Sequence, residues 1–217
     1  MNKINNLHVV IPHRGVYAGK TRLRGVLSDA ARSELNRWLL TRTLRVVNAW
    51  LTDMRRCVVV SPCASTRALA RHAGANAVAE RALGLNAALA EGVNDAARRG
   101  AQRVLLLPCD LPLLDERALD AMAALSHAAL DVVLAPDQHG SGTNALLITA
   151  TAREFAFGID SLSRHQTMAH ACGLRTALCK EPALAFDLDT EADFWMWLHS
   201  GAVTPPFLAA RRLESAA

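Results

Sequence analysis

The chain of 217 residues is long enough for one domain with a real core and short for two full ones, so a single domain is expected. With 51% hydrophobic and 20% charged residues, 12 Gly and 8 Pro, it cannot be a disordered or fibrous protein. The net charge of +4 comes without a long basic block interleaved with aromatics, which argues against nucleic acid, and no apolar run reaches the ~18 residues of a membrane span.

In chain order, Met1 to Leu7 lacks the apolar stretch of a signal peptide, so a cytoplasmic protein is expected. Leu7 to Ile11, Cys57 to Ser61, Arg103 to Leu107 and Asp131 to Ala135 are short β-branched or apolar runs, each followed or ended by Pro or Ser. Such runs read as strands buried on both faces, the habit of parallel sheets. Between them Leu40, Leu44, Val47 and Leu51 repeat at helical spacing, with Ser28 and Asp29 as the helix start. Leu69 and His72 mark a helix ending at Gly74, and Leu85, Leu89, Val93 and Ala97 one ending at Gly100. Asp115 caps a helix carrying Leu119, Met122 and Leu125. From Pro136 to Phe157 the rhythm loosens around one strand candidate, Ala145 to Thr149, and an antiparallel excursion is expected. A helix near Ser163 to Ala171, a strand at Leu174 to Cys179 and the run Ala183 to Leu188 follow; the last helix opens at Thr190, where Asp193 completes a capping box, and closes near Gly201. This alternation predicts an α/β fold with a mostly parallel sheet, helices on both faces and a small antiparallel excursion. The domain is assigned to 1–201, with 202–217 as a C-terminal tail. Cys57, Cys63, Cys109, Cys172 and Cys179 show no CxxC pair or zinc spacing and are expected to be free thiols.

Ligands of open parallel sheets collect beyond the carboxyl ends of the strands. After the first strand stands PHRGVYAGKTRL, where Gly15 and Gly19 allow backbone approach and Lys20 and Arg22 could hold phosphate oxygens. It is not a Walker A loop, since Arg14 occupies the place of the required Gly, and an ordinary basic loop is an equal reading. After the third run stands PCDLPLLD, where Pro108 and Pro112 stiffen the turn around Asp110, either an oxygen ligand for a hard divalent cation or a cap of the next turn. In AFDLDTEAD, Asp187 and Asp189 alternate along an extended segment, about 7 Å apart at about 3.3 Å per residue. With Asp110 they could make a magnesium site; the alternative is a charge cluster favoured by the following helix N-terminus. DQHGSGTNALL offers Gly140, Gly142, Thr143 and Asn144 as an anion nest or a plain turn. His139 and His165 read as structural or surface groups, and Trp38, Trp50, Trp195 and Trp197 as packing.

The segments AGKTRL, GLNAAL, LPCDLPLL, DQHGSGTNALL, GIDSLSRH and FDLDT, in this order from about Val9 to His199, resemble the 2-phospholactate guanylyltransferases of coenzyme F-420 biosynthesis (CofC or FbiD type), relatives of molybdopterin guanylyltransferase. The resemblance implies a single Rossmann-like nucleotidyltransferase domain, paired as a homodimer, binding GTP with Mg²⁺ as cofactor. It implies that Asp110, Asp187 and Asp189 are metal ligands, and that Thr143, Gly158 and Ser161 hold the phosphorylated acid: 2-phospho-L-lactate, phosphoenolpyruvate or 3-phospho-D-glycerate. It places Lys20 and Arg22 on the GTP phosphates, with Asp110 as the catalytic set, and Gly84 with Asn86 on the base or ribose. The family commonly carries a Lys just after the first strand, where this chain has His13 and Arg14. Rival readings are transfer to molybdopterin or a sugar phosphate, and a catalytically silent nucleotide-binding protein.

Overall fold

The structure, a computed structural model, describes residues 6–17, 19–126 and 132–208. Ala18, residues 1–5 and 127–131 and the tail beyond 208 lie outside the described residues. Seven strands form one sheet: β1 (Leu7–Pro12), β2 (Cys57–Ser61), β3 (Asn76–Ala79), β4 (Arg103–Leu106), β5 (Val132–Pro136), β6 (Thr143–Thr149) and β7 (Thr176–Leu178). Their spatial order is β3-β2-β1-β4-β6-β5-β7. Six run parallel, and β6 alone runs antiparallel to its neighbours β4 and β5, which is the expected excursion.

Helices α1 (Asp29–Leu51), α2 (Ala64–His72), α3 (Leu85–Arg98), α4 (Glu116–Ala124), α5 (Ser161–Ala171), α6 (Pro182–Ala185) and α7 (Glu191–His199) cover both faces. Alternation along β1 shows why. Val9 and Ile11 pack with Leu40, Leu44 and Val47 of α1 and with Leu119 and Met122 of α4. Val10 turns to the other face, against Leu89 and Val93 of α3, and this double burial is what makes the run continuously apolar. A third cluster joins Leu35 and Leu39 of α1 to Phe194, Trp197 and Leu198 of α7, and Leu208 is buried in it.

The predicted caps are in place: Ser28 Oγ accepts from Ala31 N, Asp115 from Ala118 N, and Thr190 with Asp193 forms the capping box. All five cysteines are free. Two segments differ from expectation. β3 has no counterpart in the sequence reading, because its Asn-Ala-Val-Ala is half-buried at the sheet edge and carries little apolar signal. The run Ala183 to Leu188 is split, with Pro182 at the first turn of the short α6 and an unpaired extended stretch from Phe186 to Asp189.

Candidate active site

The strand order reverses direction between β1 and β4, so the loops leaving their carboxyl ends part and open a crevice there. A cleft of about 760 Å³ occupies this place, lined among others by His13, Arg14, Lys20, Arg22, Gly84, Asp110 and Asp189. The β1 loop is shaped by Gly15 and Gly19, both at positive φ, and by Lys20, a non-glycine residue in left-handed conformation with φ 52°. Such a backbone costs energy and persists where the surroundings over-determine it. Here the surroundings are two carboxylates: Lys20 Nζ donates to Asp110 Oδ2 at 3.1 Å and to Asp189 Oδ1 at 3.0 Å. The Lys20 side chain is only 9% exposed, against 31% for Asp110 and 46% for Asp189. Burial alone disfavours its ammonium, but Asp110 and Asp189 outweigh that and hold its pKa above the ordinary lysine value.

The two acidic loops are joined by their backbones, since Leu188 N donates to Asp110 O at 3.0 Å. Asp193, the cap residue, also accepts from the N–H of Asp189 at 3.2 Å, so the helix cap fixes the backbone that carries this carboxylate. Asp187 takes another partner, accepting from Asn144 Nδ2 at 3.2 Å. The same amide nitrogen reaches the carbonyls of Leu184 and Ala185 at 3.0 Å each. Burial pushes the Asp187 pKa up, with Asp110 and Asp189 adding to the rise and Asn144 opposing it.

Among the described residues no three His, Cys, Asp or Glu groups gather as one metal-ligand set. Asp110 and Asp189 nevertheless fit magnesium, which binds through one or two carboxylates and substrate phosphates while keeping several waters. Asp110 and Asp189 share the Lys20 ammonium, and Asp187 lies close enough to feel both carboxylates, a gathering of negative charge that a divalent cation would suit.

Because β6 runs antiparallel, its first residues, Thr143 and Asn144, lie at the sheet edge where β4 ends and Asp110 begins. Of the two readings of DQHGSGTNALL, an anion nest or a plain turn, the hydrogen bonds favour the turn for the backbone amides. Asp137 Oδ1 accepts from Ser141 N and Gly142 N, both at 2.9 Å, and Ser161 Oγ accepts from Thr143 N at 2.8 Å, which leaves the plain-turn reading for these amides. The Thr143 hydroxyl stands 3.1 Å from His165 Nδ1. Gly158, at φ 127°, precedes α5, whose first residue is Ser161.

Gly84, at φ 111°, opens α3 and lines the cleft, and among the described residues no side chain caps the first amides of that helix. The Asn86 side chain is held by the backbone of Phe157. Its Oδ1 accepts from Phe157 N at 2.9 Å and its Nδ2 donates to Phe157 O at 3.2 Å, tying the α3 loop to the loop before α5. Arg22 is exposed at the cleft, and Arg14 lines it as a further exposed cation. His13 Nδ1 accepts from Gly15 N at 3.0 Å, and burial pushes its pKa down to about 4, so it shapes the loop as a neutral ring. The sequence placed Asn144 in a possible anion nest and read His165 as a structural or surface group; the contacts of Asn144 with Asp187, of His13 with Gly15 and of His165 with Thr143 join groups whose pairing no local pattern marks.

Comparison with known proteins agrees with this geometry. Residues 7–213 match the family model described as guanylyl transferase CofC like. The phosphoenolpyruvate guanylyltransferase of Rubrobacter xylanophilus is 35% identical over 199 residues, covering 91% of this chain and 96% of that protein. The 3-phospho-D-glycerate guanylyltransferase of Phenylobacterium zucineum is 37% identical over 188 residues, covering 85% and 86%. A crystal structure from Desulfovibrio desulfuricans G20, described as a nucleotide-diphospho-sugar transferase, superposes with a TM-score of 0.68 at 14% identity, covering 98% of this chain and 95% of that one, and shares the fold.

Proposed function

The chain belongs to the family of CofC-like guanylyl transferases, and on that footing we propose that it joins the GMP part of GTP to a phosphorylated three-carbon acid with release of pyrophosphate. The observation that carries this reading is Lys20, buried between Asp110 and Asp189 on a cleft bordered by Arg14 and Arg22. Two polyanions must be brought together there, and repulsion between them is the main obstacle.

A phosphate oxygen of the acid attacks the α-phosphorus of GTP in line, and the bond from that phosphorus to the bridging oxygen of pyrophosphate breaks. No protein nucleophile is required, because a phosphate dianion is an adequate attacker; catalysis is positioning and charge neutralisation. Lys20, Arg14 and Arg22 offset the charge that grows on the departing pyrophosphate. Mg²⁺ held by Asp110 and Asp189, with Asp187 beside them, would supply Lewis-acid neutralisation of the phosphate oxygens. The uncapped start of α3 at Gly84 supports a nucleotide on that side of the cleft, and Thr143, Gly158 and Ser161 serve as the acid pocket.

Relatives bear the names of phosphoenolpyruvate and 3-phospho-D-glycerate guanylyltransferases, and either acid or 2-phospho-L-lactate is taken as the substrate class, with the product feeding coenzyme F-420 biosynthesis. A magnesium-dependent homodimer acting in the cytoplasm completes the reading. Among the described residues no helix is long and apolar enough to cross a membrane. The test is to incubate purified protein with Mg²⁺, each acid and GTP or ATP, and to identify products by mass. A guanosine diphosphate diester of one acid is expected; adenylylation in preference to guanylylation, or transfer only to a sugar phosphate, would reject the reading.

A further inference from the structure

Thr143, Ser161 and His165 form a buried cluster whose proton positions follow from its partners. The N–H of Ala156 donates to His165 Nε2 at 3.0 Å, so that nitrogen is an acceptor and carries no proton. Burial, with Arg164 adding to it, pushes the imidazole pKa down to about 4, which keeps the ring neutral near pH 7. Phe157 packs edge-on at a centroid distance of 4.7 Å and holds the ring plane. A neutral ring with a bare Nε2 has its proton on Nδ1, and Nδ1 stands 3.1 Å from Thr143 Oγ1. The imidazole therefore donates and the threonine oxygen accepts.

A hydroxyl carries a single proton, so the direction of that bond decides what the hydroxyl can do next. With its oxygen receiving the His165 proton, Thr143 must aim its own O–H elsewhere, and among the described residues no hydrogen bond gives it an acceptor. Ser161 repeats the pattern: its Oγ accepts from Thr143 N at 2.8 Å and its own proton has no protein acceptor among the described residues. Two adjacent hydroxyls thus each accept one hydrogen bond and, among the described residues, have no acceptor for their own proton. Such a pair is set to donate, which suits an anionic oxygen.

We propose that His165 is a positioning residue that fixes the Thr143 hydroxyl as a donor which, together with Ser161, binds an anionic oxygen of the phosphorylated acid. This rests on the acid pocket proposed above, and the ligand class is a carboxylate or phosphate oxygen of a small acid.

The test is steady-state kinetics at saturating GTP, with phosphoenolpyruvate or 3-phospho-D-glycerate varied, whichever the wild type guanylylates. Losing one hydrogen bond to a charged group raises KM by about tenfold or more, so Thr143→Val and His165→Leu should each raise the acid KM by that order with the GTP KM unchanged. Because His165 acts through Thr143, the double variant should be no weaker than Thr143→Val alone. His165→Gln, whose amide can donate to Thr143 and accept from Ala156, should restore the acid KM.

If Thr143→Val leaves the acid KM unmoved, the acid pocket itself is wrong. If Thr143→Val raises it while His165→Leu does not, or the two effects add in full, the pocket stands and the role of His165 is overturned. Nitrogen-15 NMR of the wild-type imidazole gives a readout that needs no variant to fold. The neutral Nδ1–H form is expected at pH 7, and an Nε2–H or doubly protonated ring would refute the proposal.

Discussion

Lys20 shows how one side chain can organise a site. Its ammonium is nearly removed from water, which would be costly alone, and it is retained because Asp110 and Asp189 accept from it at 3.1 and 3.0 Å. Replacing it as Lys20→Met would leave those carboxylates repelling each other and the incoming phosphates. By the usual cost of deleting one charge-stabilising donor, kcat should fall about a hundredfold or more, with the fold kept as judged by circular dichroism. Lys20→Arg should not rescue it, because the planar fork cannot place a point charge between two oxygens in so closed a space. The sequence made Lys20 and Asp110 visible as candidates in loops that follow strands, and Asp187 and Asp189 by their alternation along an extended segment. It could not show that Lys20 bridges two of the acids, nor that Asn144 holds the third, because those contacts join residues 90, 169 and 43 positions apart.

At the scale of elements, local chemistry was the better guide. Strands such as Cys57–Ser61 and caps such as Ser28, Asp115 and Thr190 stand where apolar runs and capping residues put them. What the sequence left unread was weakly marked: β3 at the sheet edge, and the choice between nest and turn at DQHGSGTNALL, which the hold of Asp137 on the amides of Ser141 and Gly142 decides. Helix α3 adds a constraint that sequence patterning hides. A methyl group on Gly92 would overlap the side chains of Val10 and Val60, so this helix lies close on β1 and β2. Alanine ordinarily favours a helix interior over glycine by about 1 kcal/mol. Overpacking a close-fitted core costs about 1–3 kcal/mol, and the clash involves two strands at once. Gly92→Ala should therefore lower the denaturant midpoint rather than raise it; a stabilised variant would mean that the helix is not held this close.

At the scale of the whole molecule, three histidines among the described residues, His8, His13 and His165, are buried with lowered pKa values. Burial pushes the pKa of His13 and of His165 down to about 4, and that of His8 also falls below the ordinary value, chiefly through burial with Arg56 and Arg99 adding to it. In the unfolded chain these rings take up protons near pH 6.5, while in the folded chain His13 and His165 resist until about pH 4 and His8 protonates below its ordinary range. The unfolded state therefore binds more protons in that window, and stability must drop as pH falls from about 6.5 towards 4, by at most about 1.4 kcal/mol per pH unit for each histidine. Calorimetry should show Tm falling between pH 7 and pH 5, with a shallower fall in His165→Gln. The architecture was legible because a mostly parallel sheet needs apolar runs and alternating helices, and the cleft lies at the reversal of strand order where such sheets bind ligands.

The central claim is that a phosphorylated acid attacks GTP beside Lys20, Asp110 and Asp189. The most direct measurement is acid-dependent pyrophosphate release from GTP by the wild type and by Asp189→Ala, each checked for folding. Release that requires the acid in the wild type and is abolished in Asp189→Ala is the expected result. Release that proceeds equally without any acid, or that persists undiminished in Asp189→Ala, would contradict it.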